Sequence, residues 1–307
     1  MKRLFLLLTV FTLAQTTFGQ YSQDSIKTDK GYLHYFIKGK GKPVVLLQGG
    51  PGFSHDYMRG IADSLKNYQS ILIDYQGTGR SNYNNVDSTW VSNEQVVEDI
   101  ETIRKHLKIQ KWTLVGHSYG GMFALLYGVK YPESTEKIIT VSSAGTNQQF
   151  QEHYGYNIFA RISPENKKRI EDISSGKIKT NDEVPGMGEV DKLLMQAMFY
   201  DPENIPKAIA PIPKDAMPIF FNPKFQRAYW GNPSDRTIDI TKDVLAFNIP
   251  VRMIESWQDP NYDGRQLLLN HQLKNSKIEF INQSGHFPWA EQPDEFFKIL
   301  RGFLEND

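Results

Sequence analysis

A serine flanked by glycines is the feature of this sequence that most directly suggests chemistry. Residues 116–121 read Gly-His-Ser-Tyr-Gly-Gly, preceded by the apolar run 112–115 and followed by the small and apolar residues 120–129. A strand that turns sharply into a helix lifts a serine Oγ above the sheet, and glycines two residues away on either side let the backbones pack closely. The pattern therefore predicts a nucleophile at Ser118.

A serine hydroxyl needs a general base and a group that orients the base. Among seven histidines, His286 fits best because it follows the last predicted strand and precedes the final helix. The acid is expected after the preceding predicted strand, residues 251–254, where Glu255, Asp259 and Asp263 are the candidates. Asp259 is favoured because it lies in a turn from which it could reach the histidine. The chain order serine, aspartate, histidine is typical of this kind of nucleophile turn.

The acyl-transfer chemistry also requires backbone N–H groups aimed at a developing oxyanion. Residues 48–52 read Gln-Gly-Gly-Pro-Gly and follow the apolar run 44–47, where such a loop belongs. We expect the N–H groups of Gly50 and Tyr119 to be the two donors, although the segment could also be a plain Gly-Pro turn. Residues 74–81 contain a G-x-G but not the rest of a dinucleotide fingerprint, which favours a scaffold loop.

The elements that must position these residues alternate between strand and helix. Short apolar runs followed by polar or glycine-rich turns predict buried parallel strands, and a run of alternating character predicts an early antiparallel strand at residues 31–38. The predicted buried strands are 44–47, 71–73, 112–115 and 138–141, and two further strands are predicted at 251–254 and 277–281. Helical patterns lie between them, so the fold class is α/β, with a mostly parallel central sheet and helices on both faces.

Residues 146–245 interrupt this pattern. They hold nine prolines, a charged stretch and few strand signals. Because strands resume afterwards, we interpret the segment as an inserted helical cap between two parts of one core, residues 20–145 and 246–307. A second independent domain is the alternative.

Composition and the N-terminal residues limit the classes of partner and the location that we expect for this protein. The 307 residues carry 35 basic and 35 acidic side chains, so no basic excess suggests nucleic acid or an anionic membrane. Cysteine is absent, which excludes disulfides and thiolate chemistry. Residues 1–19 combine a basic start, a short apolar run and small residues before a possible cleavage point, which predicts a signal peptide and an exported protein, periplasmic or secreted. We expect no stable membrane insertion after its removal, and the sequence leaves the oligomeric state open.

These motifs together closely resemble the proline iminopeptidase-like branch of the α/β-hydrolase superfamily. The resemblance covers residues 31–145 and 246–305 and is weak across the insertion, where that family places its helical cap. It rests on residues 49–52, 55–57, 74–81, 116–121, 249–251, Asp259, 285–288 and 291–293. Two positions depart from the family pattern: Gln48 stands where a histidine is usual, and Pro260 follows the predicted acid directly.

The resemblance implies a serine hydrolase that releases an N-terminal residue, such as proline, from a short peptide, with no metal or organic cofactor. Family peptidases bind the substrate amine through acidic side chains, many of them in the cap. The candidates here are Asp235, Glu152, Glu189 and Glu203. A carboxylesterase or lactonase with the same three residues is one alternative, and a non-catalytic binding protein on the same fold is another.

Overall fold

The computed structural model describes residues 21–83, 85–180 and 188–305. The predicted signal peptide lies outside these residues. The strands are β1 (Ser22–Lys27), β2 (Tyr32–Lys38), β3 (Lys42–Leu47), β4 (Tyr68–Ile73), β5 (Trp112–His117), β6 (Thr135–Val141), β7 (Val251–Ser256) and β8 (Ser276–Ile281). The helices are α1 (Arg59–Ser64), α2 (Asn93–His106), α3 (Tyr119–Lys130), α4 (Phe150–Arg161), α5 (Pro164–Ser174), α6 (Glu189–Gln196), α7 (Ile205–Ile209), α8 (Pro223–Gly231), α9 (Pro233–Arg236), α10 (Thr241–Ala246), α11 (Arg265–Gln272), α12 (Pro288–Glu291) and α13 (Pro293–Glu305).

All eight strands form one sheet in the order β1-β2-β4-β3-β5-β6-β7-β8. β2 pairs antiparallel with β1 and β4, and every later pairing is parallel. This is the α/β-hydrolase arrangement, so the predicted fold class is confirmed. Because parallel strands end at the same edge, the loops after β3, β5, β7 and β8 lie together there.

The sheet is buried on both faces, which explains why its central strands are continuously apolar. Along β3, Val45 and Leu47 pack into one cluster with α2 and α3, whereas Val44 and Leu46 pack into a second cluster with α1 and α13. Alternate residues of a strand point to opposite faces, so each face receives two side chains from this one strand. The two apolar layers fix the sheet as a rigid platform for the loops at its edge.

The described chain between β6 and β7 forms helices α4 to α10, and we call residues 150–246 the helical region. It meets the core at several points: Phe220 C=O accepts from the N–H of Ser54 at 2.8 Å, and Asn222 N–H donates to Gly52 C=O at 2.9 Å. Val244 of α10 packs into the same apolar cluster as α3. The boundaries 146 and 245 of an inserted cap remain a prediction. No helix in the described ranges is long and apolar enough to span a bilayer.

Candidate active site

Ser118 occupies the turn between β5 and α3. Its backbone has φ 54° and ψ −122°, a conformation that residues other than glycine rarely adopt. The Ser118 N–H donates to Val141 C=O at 2.9 Å, and its C=O accepts from the N–H groups of Gly121 (3.0 Å) and Ala144 (3.1 Å). Such a backbone costs about 1–3 kcal/mol, so the surrounding bonds must hold it. The strained serine turn expected from the motif is present.

The glycines around Ser118 are required by close backbone contacts. A Cβ on Gly116 would lie 2.2 Å from the Gly120 carbonyl oxygen, and a Cβ on Gly120 would lie 2.1 Å from the Leu47 carbonyl oxygen. Backbone atoms cannot yield as a flexible side chain can. The spacing of the motif therefore reflects how tightly α3 packs against β3 and β5.

His286 and Asp259 form a buried pair in the loops after β8 and β7. The His286 Nδ1 lies 3.0 Å from each carboxylate oxygen of Asp259, and the residues are only 5% and 2% exposed. A carboxylate can only accept, so Nδ1 carries the hydrogen, and in the neutral ring the lone pair is on Nε2. Asp259 Oδ1 also accepts from the Asn261 N–H at 2.8 Å, which fixes the carboxylate in place. A histidine held in this tautomer can act as a general base.

The other two candidate acids, Asp263 and Glu255, have different hydrogen-bond partners. The Asp263 carboxylate accepts from Arg265 Nε at 2.7 Å. Glu255 is 1% exposed, and one of its oxygens accepts a long 3.4 Å bond from the Ser143 N–H. Burial, together with the negative charge of Asp259, raises the pKa of Glu255 well above its ordinary value. Of the three candidates, Asp259 is thus the one whose carboxylate bonds to the imidazole.

The loop after β3, residues 48–54, lies directly against Ser118, and we call it the glycine loop. A Cβ on Gly49 would be 2.7 Å from Ser118 Cβ and 3.2 Å from its Oγ. The Gly49 N–H is already used, since it donates to the Tyr57 hydroxyl at 2.7 Å. Gly50 has φ 123°, and Tyr119 is the first residue of α3, where N–H groups have no acceptor within the helix. The roles of Gly50 and Tyr119 as oxyanion donors stay predictions that this geometry allows.

The four carboxylates considered for amine binding have different surroundings. Glu152 and Glu203 are exposed, and Glu189 pairs with Arg169 at 2.7 Å. Asp235 is only 4% exposed. Burial raises the pKa of Asp235. Among the four, Asp235 is the candidate that the structure places inside the protein.

A buried polar network connects Asp235 with the neighbour of the nucleophile. Asp235 Oδ1 accepts from the N–H of Asn93 at 3.1 Å and from its side-chain amide at 2.8 Å, while Oδ2 has no hydrogen-bond partner among the described residues. The Tyr229 hydroxyl bonds to Asn93 and lies 2.7 Å from the Tyr119 hydroxyl. The Gln148 amide donates to Tyr119 (2.6 Å) and to the Asp235 carbonyl oxygen (2.7 Å).

Aromatic rings from the helical region pack around these loops. The ring of Tyr119 lies 5.7 Å from that of Trp230 and 6.1 Å from that of Phe150. On the glycine loop, Phe53 lies 4.9 Å from Phe221. The helical region therefore contributes apolar rings next to Tyr119 and to the glycine loop.

Glu291 is a functional candidate that the sequence analysis did not single out. Its carboxylate accepts from the N–H groups of Gly285 (2.6 Å), Asp201 (2.9 Å) and Tyr200 (3.3 Å). The neighbouring His286 N–H donates to Met198 C=O at 2.7 Å. Glu291 thus connects the helical region with the loop after β8, residues 282–287, which we call the histidine loop. Its partners are backbone groups, and only its place in the Glu-Gln-Pro motif could have indicated it.

No group of three or more histidine, aspartate or glutamate side chains within the described ranges could hold a metal ion.

Comparison with known proteins agrees with this architecture. Residues 42–183 match the family model for the α/β hydrolase fold. The proline iminopeptidase of Saccharolobus solfataricus is 24% identical over 92% of this chain and 94% of its own length. That of Chitinophaga pinensis is 27% identical, over 91% and 96% respectively.

A solved structure, the proline iminopeptidase-related protein of Thermus thermophilus, superposes with a TM-score of 0.73 at 18% identity, covering 93% of this chain and 97% of that one. The resemblance expected from the motifs is therefore confirmed. The chain has the α/β-hydrolase fold and is similar over most of its length to proline iminopeptidases.

Proposed function

We propose that this protein is a serine hydrolase that works through an acyl-enzyme. Ser118 attacks a carbonyl carbon, His286 takes the hydroxyl proton and passes it to the leaving group, and Asp259 holds the imidazole. Water then releases the acyl group by the same route. The N–H groups of Gly50 and Tyr119 stabilise the oxyanion.

The observation that carries this proposal is the buried Asp259–His286 pair beside the strained Ser118 turn. The His286 ring centroid is 4.7 Å from that of His117, the residue before the serine. Its Nδ1 is bonded to Asp259, so its Nε2 is left as the proton acceptor. A strained serine turn beside an imidazole held by a carboxylate is the arrangement that nucleophilic catalysis requires, which argues against the non-catalytic alternative.

The first experiment labels the protein with a fluorophosphonate probe and locates the adduct by peptide mass spectrometry. We expect labelling at Ser118, and none in Ser118→Ala. Turnover of p-nitrophenyl acetate should fall to background in the same variant. Lack of labelling in the folded wild-type protein would overturn the proposal.

We assign the substrate as a short peptide or amide with a free N-terminal amine, proline being the residue suggested by the relatives' names. Asp235 supports this, since it is a buried carboxylate in a network that reaches Tyr119, and one of its oxygens has no partner in the part of the chain that the structure describes. An ammonium group binding there would gain a charge-assisted hydrogen bond.

A substrate panel tests this assignment. Proline p-nitroanilide should be cleaved and its N-acetyl derivative should not, because acetylation removes the positive charge. Asp235→Asn should lower kcat/KM for proline p-nitroanilide, relative to that for p-nitrophenyl acetate, by about 10- to 100-fold. Glu203→Gln is the control, since Glu203 is exposed.

A carboxylesterase or lactonase is the second candidate. It is favoured by the positions of the other three cap carboxylates, two of which are exposed while Glu189 is paired with Arg169. Cleavage of esters without any cleavage of aminoacyl p-nitroanilides would support this candidate and exclude the peptidase.

A further inference from the structure

His117, the residue before the nucleophile, lies between the glycine loop and the histidine loop. Its Nδ1 is 2.9 Å from the Tyr57 hydroxyl, and its Nε2 is 2.9 Å from the carbonyl oxygen of His286. It is only 2% exposed, and its ring packs against that of Trp289 at 4.7 Å. Both ring nitrogens are therefore engaged, one toward each loop.

The direction of these hydrogen bonds follows from the chemistry of the groups. The His286 carbonyl can only accept, so His117 Nε2 carries the hydrogen. Burial lowers the pKa of His117 well below its ordinary value, which leaves Nδ1 with a lone pair. Tyr57 must then donate its hydroxyl hydrogen to Nδ1, and its oxygen is free to accept the Gly49 N–H at 2.7 Å. Burial also raises the pKa of Tyr57, so the hydroxyl keeps its proton.

These groups form one continuous chain in which every donor points the same way. It runs from the Gly49 N–H through Tyr57 and His117 to the carbonyl oxygen of His286. Gly49 lies against Ser118 and precedes Gly50, so one end of the chain is the glycine loop. The other end is the peptide unit of the proposed general base itself.

We propose that Tyr57 and His117 are positioning residues that fix the distance between the oxyanion-binding loop and His286. This inference rests on the proposed serine hydrolase function. Neither residue touches the reacting atoms. They act by holding two loops from different strands in register around Ser118, where an error of 1 Å can cost about 100-fold in rate. Hydrogen bonds aligned in this way polarise one another, which stiffens the link.

The Tyr57→Phe variant tests this role with little change in packing. The phenyl ring keeps its contacts with Phe220, Phe287 and Trp289, and only the hydroxyl is lost. We expect kcat for p-nitrophenyl acetate to fall by about 10- to 100-fold, with KM within about twofold of wild type. Fluorophosphonate labelling of Ser118 should slow by a similar factor.

Tyr127→Phe is the matched control. Tyr127 of α3 is fully buried, and its hydroxyl donates to Glu101 of α2 at 2.7 Å. Removal of the Tyr127 hydroxyl should lower the melting temperature about as much as removal of the Tyr57 hydroxyl does, without changing kcat. Equal losses of kcat in the two variants would show that Tyr57 acts only on stability and would overturn the inference.

Substitution of His117 separates the two bonds. In His117→Gln the amide nitrogen takes the place of Nε2 and can donate to His286, but nothing accepts from Tyr57. In His117→Asn the amide oxygen takes the place of Nδ1, and the bond to His286 is lost. We expect both to lower kcat, because each breaks the chain once.

A double-mutant cycle gives the sharpest test. Since His117→Gln already lacks the bond to Tyr57, adding Tyr57→Phe removes only the bond from the Gly49 N–H and should lower kcat by a smaller factor than it does in the wild-type protein. Multiplicative effects of the two changes, or a wild-type kcat in Tyr57→Phe, would refute the linked chain. If the wild-type protein neither labels at Ser118 nor turns over esters, the serine hydrolase proposal fails and this one with it. If it does both while Tyr57→Phe keeps full kcat, only this inference fails.

Discussion

Glu255 offers a quantitative test of the electrostatics behind the site. Its side chain is 1% exposed, and burial and the negative charges of Asp259 and Asp263 raise its pKa well above the ordinary value of 4.5. The folded protein therefore keeps a proton that the unfolded chain releases near pH 4.5. Stability contributed by this group is complete at low pH and is lost as the pH rises toward the folded pKa.

The size of the effect follows from proton linkage. Between the unfolded and the folded pKa the native state holds one more proton, so its free energy of unfolding falls by about 1.4 kcal/mol per pH unit. Glu255→Gln has nearly the same shape and cannot ionise. Relative to wild type, the variant should gain stability as the pH rises from 5 toward the folded pKa of Glu255, at up to about 1.4 kcal/mol per pH unit.

Urea unfolding of both proteins at pH 5, 6 and 7 measures this difference. Glu203→Gln, which removes one exposed carboxylate, controls for the change in net charge. The ester kcat of Glu255→Gln should match wild type, because the amide has nearly the shape of the protonated carboxyl group that burial favours. A constant stability difference across this pH range would show that Glu255 is ionised in the native state and would refute the reasoning.

Three further predictions concern the site and its support. Asp259→Asn should lower kcat for p-nitrophenyl acetate by about 10⁴-fold, because an amide at this position favours the wrong imidazole tautomer; an unchanged kcat would exclude Asp259 as the orienting acid. Gly120→Ala should abolish soluble expression or lower the free energy of unfolding, measured with urea, by more than about 3 kcal/mol, because its Cβ would lie 2.1 Å from the Leu47 carbonyl oxygen. Gly302→Ala is the control: a Cβ there would have no atom within 4 Å, so this change should be neutral or stabilising. Glu291→Gln should cost about 2 kcal/mol and lower kcat, because its amide N–H would face backbone N–H groups; equal stability would contradict the bonding described.

Much of the core could be predicted from the sequence because its strands are buried on both faces. Such strands have a continuous apolar signal, as at residues 44–47 and 112–115, and β2 shows clear alternation. Strand β1 escaped prediction because Ser22–Lys27 is almost entirely polar and lies at the sheet edge with mostly exposed side chains. An edge strand is held by backbone pairing, which composition does not record.

The same distinction applies to the site. That the loops carrying Ser118, Asp259 and His286 meet could be predicted because each residue follows a strand, and chain order and fold fix which loops come together. Tyr57 and Glu291 lie in segments that carry the resemblance, but their roles could not be predicted, because each accepts hydrogen bonds from backbone N–H groups that any residue carries. The direction in which a cap carboxylate points is likewise invisible in the sequence, so Asp235 could not be separated from the exposed Glu203.

The bonds between the helical region and the histidine loop limit how modular this protein can be. A Cβ on Gly285 would lie 2.2 Å from the Met198 carbonyl oxygen, and Glu291 holds the backbone of Asp201. The natural junctions for exchanging the helical region with that of a relative are residues 146 and 245. A chimera cut there would separate these partners. Transplanted specificity should therefore require residues 198–201 and 285–291 to move together, as one recombination block.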